Sequence, residues 1–119
     1  MARLSIRVDL GPDHRLGPGK VRLLEAIAEH GSIAAGARAL GMSYRRAWML
    51  VEAMNRGFGA ALVESQAGGR AGGGARLSDL GAEVVAAYRT VERAAEEAAA
   101  TALHRLAVLC PEGRSNTET

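Results

Sequence analysis

GSIAAGARALGMSYRRAWMLV, residues 31–51, places small and apolar residues where a helix-turn-helix motif requires them. Ala37 and Ala47 leave room for two short helices to cross closely, because a larger side chain would push the pair apart. Gly41 follows the first helix where the chain must turn, and glycine adopts the left-handed conformation there without a Cβ penalty. Each of the two helices is preceded by a serine, a favourable N-cap: Ser32 and Ser43. Such a pair of helices serves mainly to present its second helix to DNA.

The second helix opens with side chains suited to nucleic acid. The N-terminal turn of a recognition helix is the part that reaches base edges in the major groove. Arg45 and Arg46 are the strongest candidates, because arginine bonds bidentately to guanine or to phosphate. Tyr44 can donate to a phosphate oxygen, and the backbone amides that follow Ser43 attract phosphate. The alternative, solvated surface charges, is disfavoured by the helix-turn-helix spacing around these residues.

Further DNA contacts are expected at the edges of the motif. Arg38 and Arg76 are candidates for flanking phosphates. Trp48 lies one position off the apolar stripe, so packing against a neighbouring helix is favoured for its ring, with the indole N–H facing the DNA backbone. The methionines interpreted as packing residues are Met42, Met49 and Met54. The predicted DNA-binding residues are Ser32, Arg38, Ser43, Tyr44, Arg45, Arg46, Trp48, Arg70 and Arg76.

Apolar periodicity predicts a strand and a helix before the motif. Residues 3–10 alternate apolar and polar side chains, the pattern of a half-buried strand, and a Gly-Pro-Asp turn at residues 11–13 ends it. A helix should begin near Pro18, whose fixed φ suits a first turn, and stop at Gly31. Its buried residues are predicted to be Val21, Leu24, Ile27 and Ala28.

A glycine-rich hairpin is predicted after the motif. Residues 62–66 and 75–77 have the composition of paired strands, and residues 67–74 contain five glycines and a single cation, Arg70. A P-loop would need a lysine and a hydroxyl residue opening a helix, and neither follows here. The segment is therefore interpreted as a wing whose tip lies along the minor groove or the DNA backbone, with a plain flexible turn as the alternative.

Ser78 should cap a long helix that reaches about Leu106. Its apolar residues follow a 3,4 alternation, the seam of a helix that packs along another helix. Most of them are small and bury little area, so a second copy of the chain is the simplest partner. The predicted dimerisation residues are Leu80, Val84, Ala87, Val91, Ala94 and Ala98.

The predicted fold is mainly α with a small β wing: a winged helix-turn-helix with a long C-terminal dimerisation helix. The DNA-binding domain is expected over residues 1–77, the dimerisation helix over residues 78–106 and a flexible polar tail over residues 107–119.

Composition narrows the class of protein. With 119 residues, 48% of them apolar and 24% charged, one soluble domain is expected. No segment is apolar over the length of a membrane span, so a cytoplasmic location is expected. Cys110 is the only cysteine and the three histidines lack ligand spacing, so no disulfide, metal or other cofactor is expected. Serine, histidine and acidic residues form no catalytic pattern, so an enzyme is not expected.

The net charge of +2 is unevenly distributed. Residues 31–76 contain six arginines and two glutamates, whereas residues 77–104 contain two arginines and five acidic residues. A basic face for phosphates beside an acidic helix kept away from DNA would produce this division, with chance as the alternative for such small counts. A winged helix used as a protein-interaction module is the competing function, and the paired arginines favour DNA.

Four segments of the chain carry a family resemblance: EHGSIAAGARALGMSYRRAW, EAMNR, LVESQAGGRAGGGARL and SDLG. In this order and spacing they resemble the N-terminal DNA-binding domain of the molybdate-responsive regulators called ModE, a winged-helix family related to the LysR-type DNA-binding domain. The resemblance extends over residues 16–103. It implies a homodimer joined through the long helix and the N-terminal region, a two-fold symmetric operator, and control of genes for molybdate uptake or molybdoenzymes.

Full-length members of that family carry a pair of molybdate-binding modules after the long helix, and this sequence of 119 residues contains no counterpart. We therefore expect that the chain does not itself bind molybdate as a sensor does, since an oxyanion site needs several donors converging in a desolvated pocket. A signal would then arrive through a partner protein, or the concentration of the chain would itself set regulation.

Overall fold

The computed structural model describes residues 2–69 and 72–111, and within them the chain forms four helices and two antiparallel hairpins. A helix-turn-helix, a two-stranded wing and a long C-terminal helix follow one another, so the predicted mainly α winged helix-turn-helix is confirmed. Among these residues no helix combines the length and the apolar character needed to cross a membrane. The elements are β1 (Val8–Gly11), β2 (His14–Leu16), α1 (Pro18–His30), α2 (Ile33–Ala39), α3 (Tyr44–Phe58), β3 (Val63–Gly69), β4 (Gly72–Leu77) and α4 (Asp79–Leu109).

Local hydrogen bonds fix the two helices of the motif, α2 and α3. Ser32 Oγ accepts the amide N–H of Ala35 at 2.9 Å, and Ser43 Oγ accepts the amide N–H of Arg46 at 3.1 Å. Gly41 has a φ of 70°, the left-handed conformation expected of the turn. Because each N-cap satisfies an amide that the first turn leaves free, both helices begin where the sequence predicts.

α2 crosses α1 at very short range. A Cβ on Gly36 would lie 2.9 Å from the backbone nitrogen of Ile27, so there is room only for glycine at this crossing. Ala37 and Ala47 are 1% and 0% exposed, which confirms that small residues allow the helices of the motif to pack closely. The closest approach of α2 to α1 is therefore at Gly36, one residue before Ala37, which the sequence indicated.

α1 is covered on several sides, because it contacts α2, α3, α4 and β4. Val21, Leu24 and Ile27 are fully buried, as predicted. Ala28 is exposed, so that prediction was wrong, and Leu23 is fully buried in its place. The prediction assumed that α1 buries a single apolar stripe, whereas a helix that contacts four elements buries residues on more than one side.

The N-terminal strand is shorter than predicted and pairs with a second strand that the sequence did not reveal. β1 and β2 are antiparallel, with Val8 opposite Leu16 and Asp9 opposite Arg15. β2 has only three residues, too few to display a period of two. Leu16 belongs to the core and Val8 packs against it, so one face of this hairpin is apolar.

β3 and β4 form the predicted wing, with Glu64 opposite Arg76. The strands continue further into the glycine-rich segment than its composition indicated, because backbone pairing does not need side chains. The amide of Ala75 donates to the carbonyl of Gly31 at 2.8 Å and joins the wing to the end of α1. Arg70, the predicted tip contact, lies outside the described residues.

α4 begins against the base of the wing. Ser78 Oγ accepts the amide N–H of Gly81 at 3.0 Å and donates to the carbonyl of Ala61 at 2.7 Å, so the predicted cap is confirmed. Gly81 lies directly on the carbonyl of Leu62, where a Cβ would collide with backbone atoms. The first turn of α4 is therefore part of the packed body of the winged helix.

α4 continues to Leu109, three residues beyond its predicted end near Leu106. Residues 107–109 were expected to belong to a flexible tail and are helical, so that boundary was wrong. Ala107 and Leu109 are good helix formers, and the helix ends before Pro111, because proline disfavours the helical conformation of the residue that precedes it. The remainder of the predicted tail, residues 112–119, lies outside the described residues.

Arg89 joins α4 to α1. Its Nη2 and Nε donate to Oε1 and Oε2 of Glu25 at 2.7 and 3.0 Å, and its Nη1 donates to Oε1 of Glu92 at 2.6 Å. The hydrogen bonds from Arg89 hold the pKa of Glu25 below its ordinary value of 4.5. One residue earlier, the hydroxyl of Tyr88 donates to the carbonyl of Ile6 at 2.7 Å, and burial raises the pKa of this phenol.

Candidate nucleic-acid interface

The first turn of α3 presents the side chains predicted to contact DNA. The inner side of the helix is buried around Ala47. On the outer side Tyr44 is 55% exposed, and Arg45 and Arg46 are exposed beside it. The cap at Ser43 fixes the backbone of this turn, so the three side chains project from a defined position rather than from a loop.

Trp48 extends this surface by one helical turn. It is 46% exposed and does not belong to the core, so the expectation that its ring packs against a neighbouring helix was wrong. Met49 is 54% exposed, which also contradicts its interpretation as a packing residue, whereas Met54 is buried and Met42 packs against the core. The inner stripe of α3 is filled by smaller residues, so the indole is left on the outer face four positions after Tyr44.

The cations of the motif are free to bind anions. Within residues 2–69 and 72–111, Arg38, Arg45 and Arg46 form no ion pair, and all three are exposed. A guanidinium that has no carboxylate partner retains its full set of donors for phosphate or a guanine edge. The structure therefore places three of the predicted contacts in a state suited to nucleic acid.

The remaining predicted contacts differ in their surroundings. Nε of Arg76 on β4 lies 3.6 Å from Oε1 of Glu64 on β3, and both side chains are about half exposed or more. The ion pair is therefore weak, and a phosphate can compete for the arginine. The hydroxyls of Ser32 and Ser43 are occupied as helix caps. Their direct effect is to orient helix amides, and a DNA contact for either residue remains a prediction, as it does for Arg70.

The predicted dimerisation residues divide into two groups. Val84 is 9% exposed and belongs to the core of the chain, and Leu80 packs against that core, so Val84 is not available to a partner as the sequence implied. The start of α4 uses its seam to cover the winged helix itself. The later members of the seam are exposed: Ala87, Val91, Ala94 and Ala98.

Sequence reasoning missed a second basic region beside α3. Arg7, Arg15 and Lys20 line a groove together with Arg46. The alternation of residues 3–10 contained part of the signal, because it places Arg7 on the polar face of the N-terminal strand. The other part, β2, is too short to be recognised from the sequence.

The fold and the exposed recognition helix define the chain as a winged helix-turn-helix protein. The sequence pattern of the family described as "Bacterial regulatory helix-turn-helix protein, lysR family" matches residues 19–82, more than half of the chain. The chain therefore belongs to the bacterial regulatory helix-turn-helix proteins of the lysR family.

Three bacterial relatives are similar to most of this chain. It is 43% identical over 98 residues to the molybdenum-pterin-binding protein MopA of Rhodobacter capsulatus, covering 82% of this chain and 36% of the relative. It is 42% identical over 92 residues to the molybdenum transport protein ModE of Azotobacter vinelandii, covering 77% of this chain and 33% of the relative.

The chain is 41% identical over 71 residues to the DNA-binding transcriptional dual regulator ModE of Escherichia coli (strain K12), covering 60% of this chain and 27% of the relative. The resemblance to ModE seen in the sequence is confirmed by these matches. The chain spans about a third of the length of the curated relatives it matches.

Proposed function

We propose that the chain binds DNA as a transcriptional regulator of the ModE type, acting on genes for molybdate transport or molybdoenzymes. The observation that carries this proposal is the first turn of α3, where exposed arginines that form no ion pair with another described residue project from a capped helix. The choice of target genes rests on the names of the relatives. A regulator of this kind acts where the chromosome lies, in the cytoplasm.

α3 enters the major groove in this proposal. Arg45 and Arg46 read base edges or hold phosphates, while Tyr44 donates to the DNA backbone. Trp48, exposed on the same helix, contacts the sugar-phosphate backbone through its ring or indole N–H. The wing contributes Arg76 and Arg70 as phosphate contacts that do not depend on sequence.

We also infer that two copies of the chain bind a two-fold symmetric operator. The exposed seam of α4 supports a homodimer, because the buried residues of this 31-residue helix end at Tyr88 and the later seam residues Val91, Ala94 and Ala98 are exposed. Recognition helices about 34–36 Å apart would then contact half-sites one helical turn apart. A signal, where there is one, would reach this dimer through a partner protein.

The test is a binding comparison on an operator selected from random-sequence DNA. We expect Arg45→Ala or Arg46→Ala to lower the affinity for that operator by about 1–3 kcal/mol, for whichever residue reads a base, and to reduce the preference over scrambled DNA. Arg105→Ala is the matched control, since Arg105 is an exposed arginine on α4 that forms no ion pair among the described residues. Fluorescence anisotropy in which neither α3 variant changes the preference would defeat the assignment.

The second candidate is a winged helix that binds protein instead of DNA. The exposed Trp48 and Met49 favour it, because aromatic side chains and methionine are enriched at protein interfaces. A salt titration separates the two functions, since phosphate contacts make DNA affinity fall steeply with salt concentration. A chain without salt-dependent DNA binding would support the protein-binding function.

A further inference from the structure

We propose that a groove beside the first turn of α3 holds a phosphate of the DNA backbone, a proposal that rests on the DNA-binding function above. We call it the basic groove, and its volume is about 430 Å³. It lies where the N-terminal hairpin, the start of α1 and the start of α3 meet. Its side chains include four cations and two apolar residues: Arg7, Arg15, Lys20, Arg46, Met42 and Leu50.

The pleat of the hairpin brings the cations to one face. Asp9 pairs with Arg15 across the strands, and Arg7 precedes Asp9 by two residues, so the three side chains share a face. The opposite face carries Val8 and Leu16, which pack in and against the core. Burial of the apolar face therefore forces the polar face outward, toward the start of α1 and the first turn of α3.

Lys20 is directed to the same place by the backbone. Its Nζ donates to the carbonyl of Arg15 at 2.8 Å, which holds the ammonium group against the hairpin. An ammonium group has three donors, so two remain for an anion. Arg46 supplies the fourth cation from α3 and has no ion pair among the described residues.

The basic groove has an excess of positive charge. Among the residues that the structure describes, no acidic side chain lines it. Asp9 lies beside it, 3.0 Å from Nε of Arg7 and 3.7 Å from Nε of Arg15, but all three side chains are between 57% and 63% exposed, so these pairs are weak. Four cations against one nearby carboxylate leave the site with like charges that an anion would neutralise.

Arg46 makes the basic groove continuous with the recognition helix, and this favours a DNA phosphate as the occupant. A free anion gains little in an open groove whose hairpin cations are more than half exposed. When DNA is already bound to α3, its phosphate meets the basic groove at a high effective concentration, because the DNA has lost most of its translational freedom in the first contact. The same weak contacts then add measurably to affinity.

The test compares Arg15→Gln with the charge-preserving Arg15→Lys on operator and scrambled DNA. For Arg15→Gln we expect the slope of log K against log salt concentration to become less steep by about 0.9, the value for one phosphate contact. The affinity should fall several-fold for both DNAs, so the preference for the operator stays unchanged. Arg15→Lys and the remote control Arg105→Gln should keep the wild-type slope. Lys20→Gln, which removes a cation from α1 rather than from the hairpin, should repeat the effect of Arg15→Gln.

The basic-groove proposal fails if both glutamine variants keep the wild-type slope, or if Arg15→Lys loses as much as Arg15→Gln, because charge would not be the cause. A wild-type chain that shows no preference for any DNA and no salt dependence overturns the proposed function as well, so the two failures are distinguishable. Inorganic phosphate provides the remaining arm. In a titration with inorganic phosphate, the backbone NMR signals of Gly17 and Gly19 would shift saturably at submillimolar phosphate if the groove binds a free anion, and they would not shift in Arg15→Gln. This result, together with an unchanged salt dependence of DNA binding in Arg15→Gln, would assign the groove to a free anion instead.

Discussion

Gly36 and Gly81 show how single glycines within helices set the distances between elements. A Cβ on Gly36 would press on the backbone of Ile27, and a Cβ on Gly81 would press on the carbonyl of Leu62. Neither glycine has a positive φ, so close packing and not turn geometry requires them. The helix-turn-helix therefore sits against α1 at a separation that a single methyl group would increase.

We predict that Gly36→Ala destabilises the chain by about 1–3 kcal/mol, because the methyl group would meet backbone atoms that cannot rotate away. Gly19→Ala is the matched control: it also lies in a helix, no atom beyond its chain neighbours and the adjacent helix backbone lies within 4 Å of its Cβ position, and alanine should be neutral or stabilising by up to about 1 kcal/mol. Urea unfolding measures both. Equal stabilities for the two variants would contradict the close-packing argument.

The success of sequence reasoning at this scale depended on how local the cause was. Ser32 and Ser43 were assigned correctly as caps because the hydrogen bond spans only three residues. Ala28 and Trp48 were assigned incorrectly, because the exposure of a side chain depends on which distant elements cover it. Arg15 was missed as a groove residue for the same reason, since its neighbours come from three separate elements.

At the scale of elements, α1 and α4 are joined by a bidentate ion pair rather than by apolar contact alone. Arg89 is 29% exposed and holds Glu25 and Glu92 simultaneously. A guanidinium fork that satisfies two carboxylates orients α4 relative to α1 as well as attracting it. The direction of the long helix away from the winged helix is thus determined near its third turn.

We predict that this ion pair makes stability depend on acid. The folded pKa of Glu25 is below its ordinary 4.5, so the stabilisation is fully present above that value and is lost as the pH falls through the lowered pKa. Glu25→Gln should cost about 1 kcal/mol at neutral pH, a value limited by partial solvent exposure, and should flatten the loss of stability below about pH 5.

Glu83→Gln is the control for this pH dependence, because Glu83 is an exposed acid on α4 without an ion pair among the described residues. Urea unfolding at neutral and acidic pH measures all three proteins. If Glu25→Gln and the wild type lose stability in parallel on acidification, the ion pair is not responsible.

Long elements were easier to predict from the sequence than short ones. α4 was located to within three residues at its end and the start of α3 was placed correctly after Ser43, since a 31-residue and a 15-residue helix display their periodicity several times. β2 was missed, because His14–Leu16 is one and a half periods of a strand. The wing was recognised by its glycines, but its strands were predicted too short because glycine hides the alternation that marks a strand.

At the scale of the whole molecule, α4 reaches well beyond the body that it helps to form. Its buried residues end at Tyr88, whereas the helix continues to Leu109. Leu106 and Leu109, which lie beyond the 3,4 alternation that ends at Ala98, are 61% and 59% exposed near its end. An exposed apolar surface of this kind supports the proposed second copy of the chain, because covering apolar side chains with a partner removes them from water.

We predict that Val91→Glu weakens or abolishes the proposed dimer, since a carboxylate in the seam would be desolvated without a partner. Thr90→Glu, at an exposed neighbouring position off the seam, should leave the dimer intact. Light scattering after size-exclusion chromatography at micromolar concentrations gives the mass of each variant. A folded wild-type monomer under these conditions would exclude the proposed dimer.

The hydrogen bond between Tyr88 and Ile6 also has a consequence for the order of folding. It spans 82 positions, and contacts of such separation close late because a long loop must first be ordered. During synthesis Ile6 leaves the ribosome long before its partner Tyr88 on α4. The helix-turn-helix assembles from nearer contacts in the meantime. We therefore expect the nascent chain to acquire its α3 surface before α4 is joined to the N-terminal segment through this hydrogen bond.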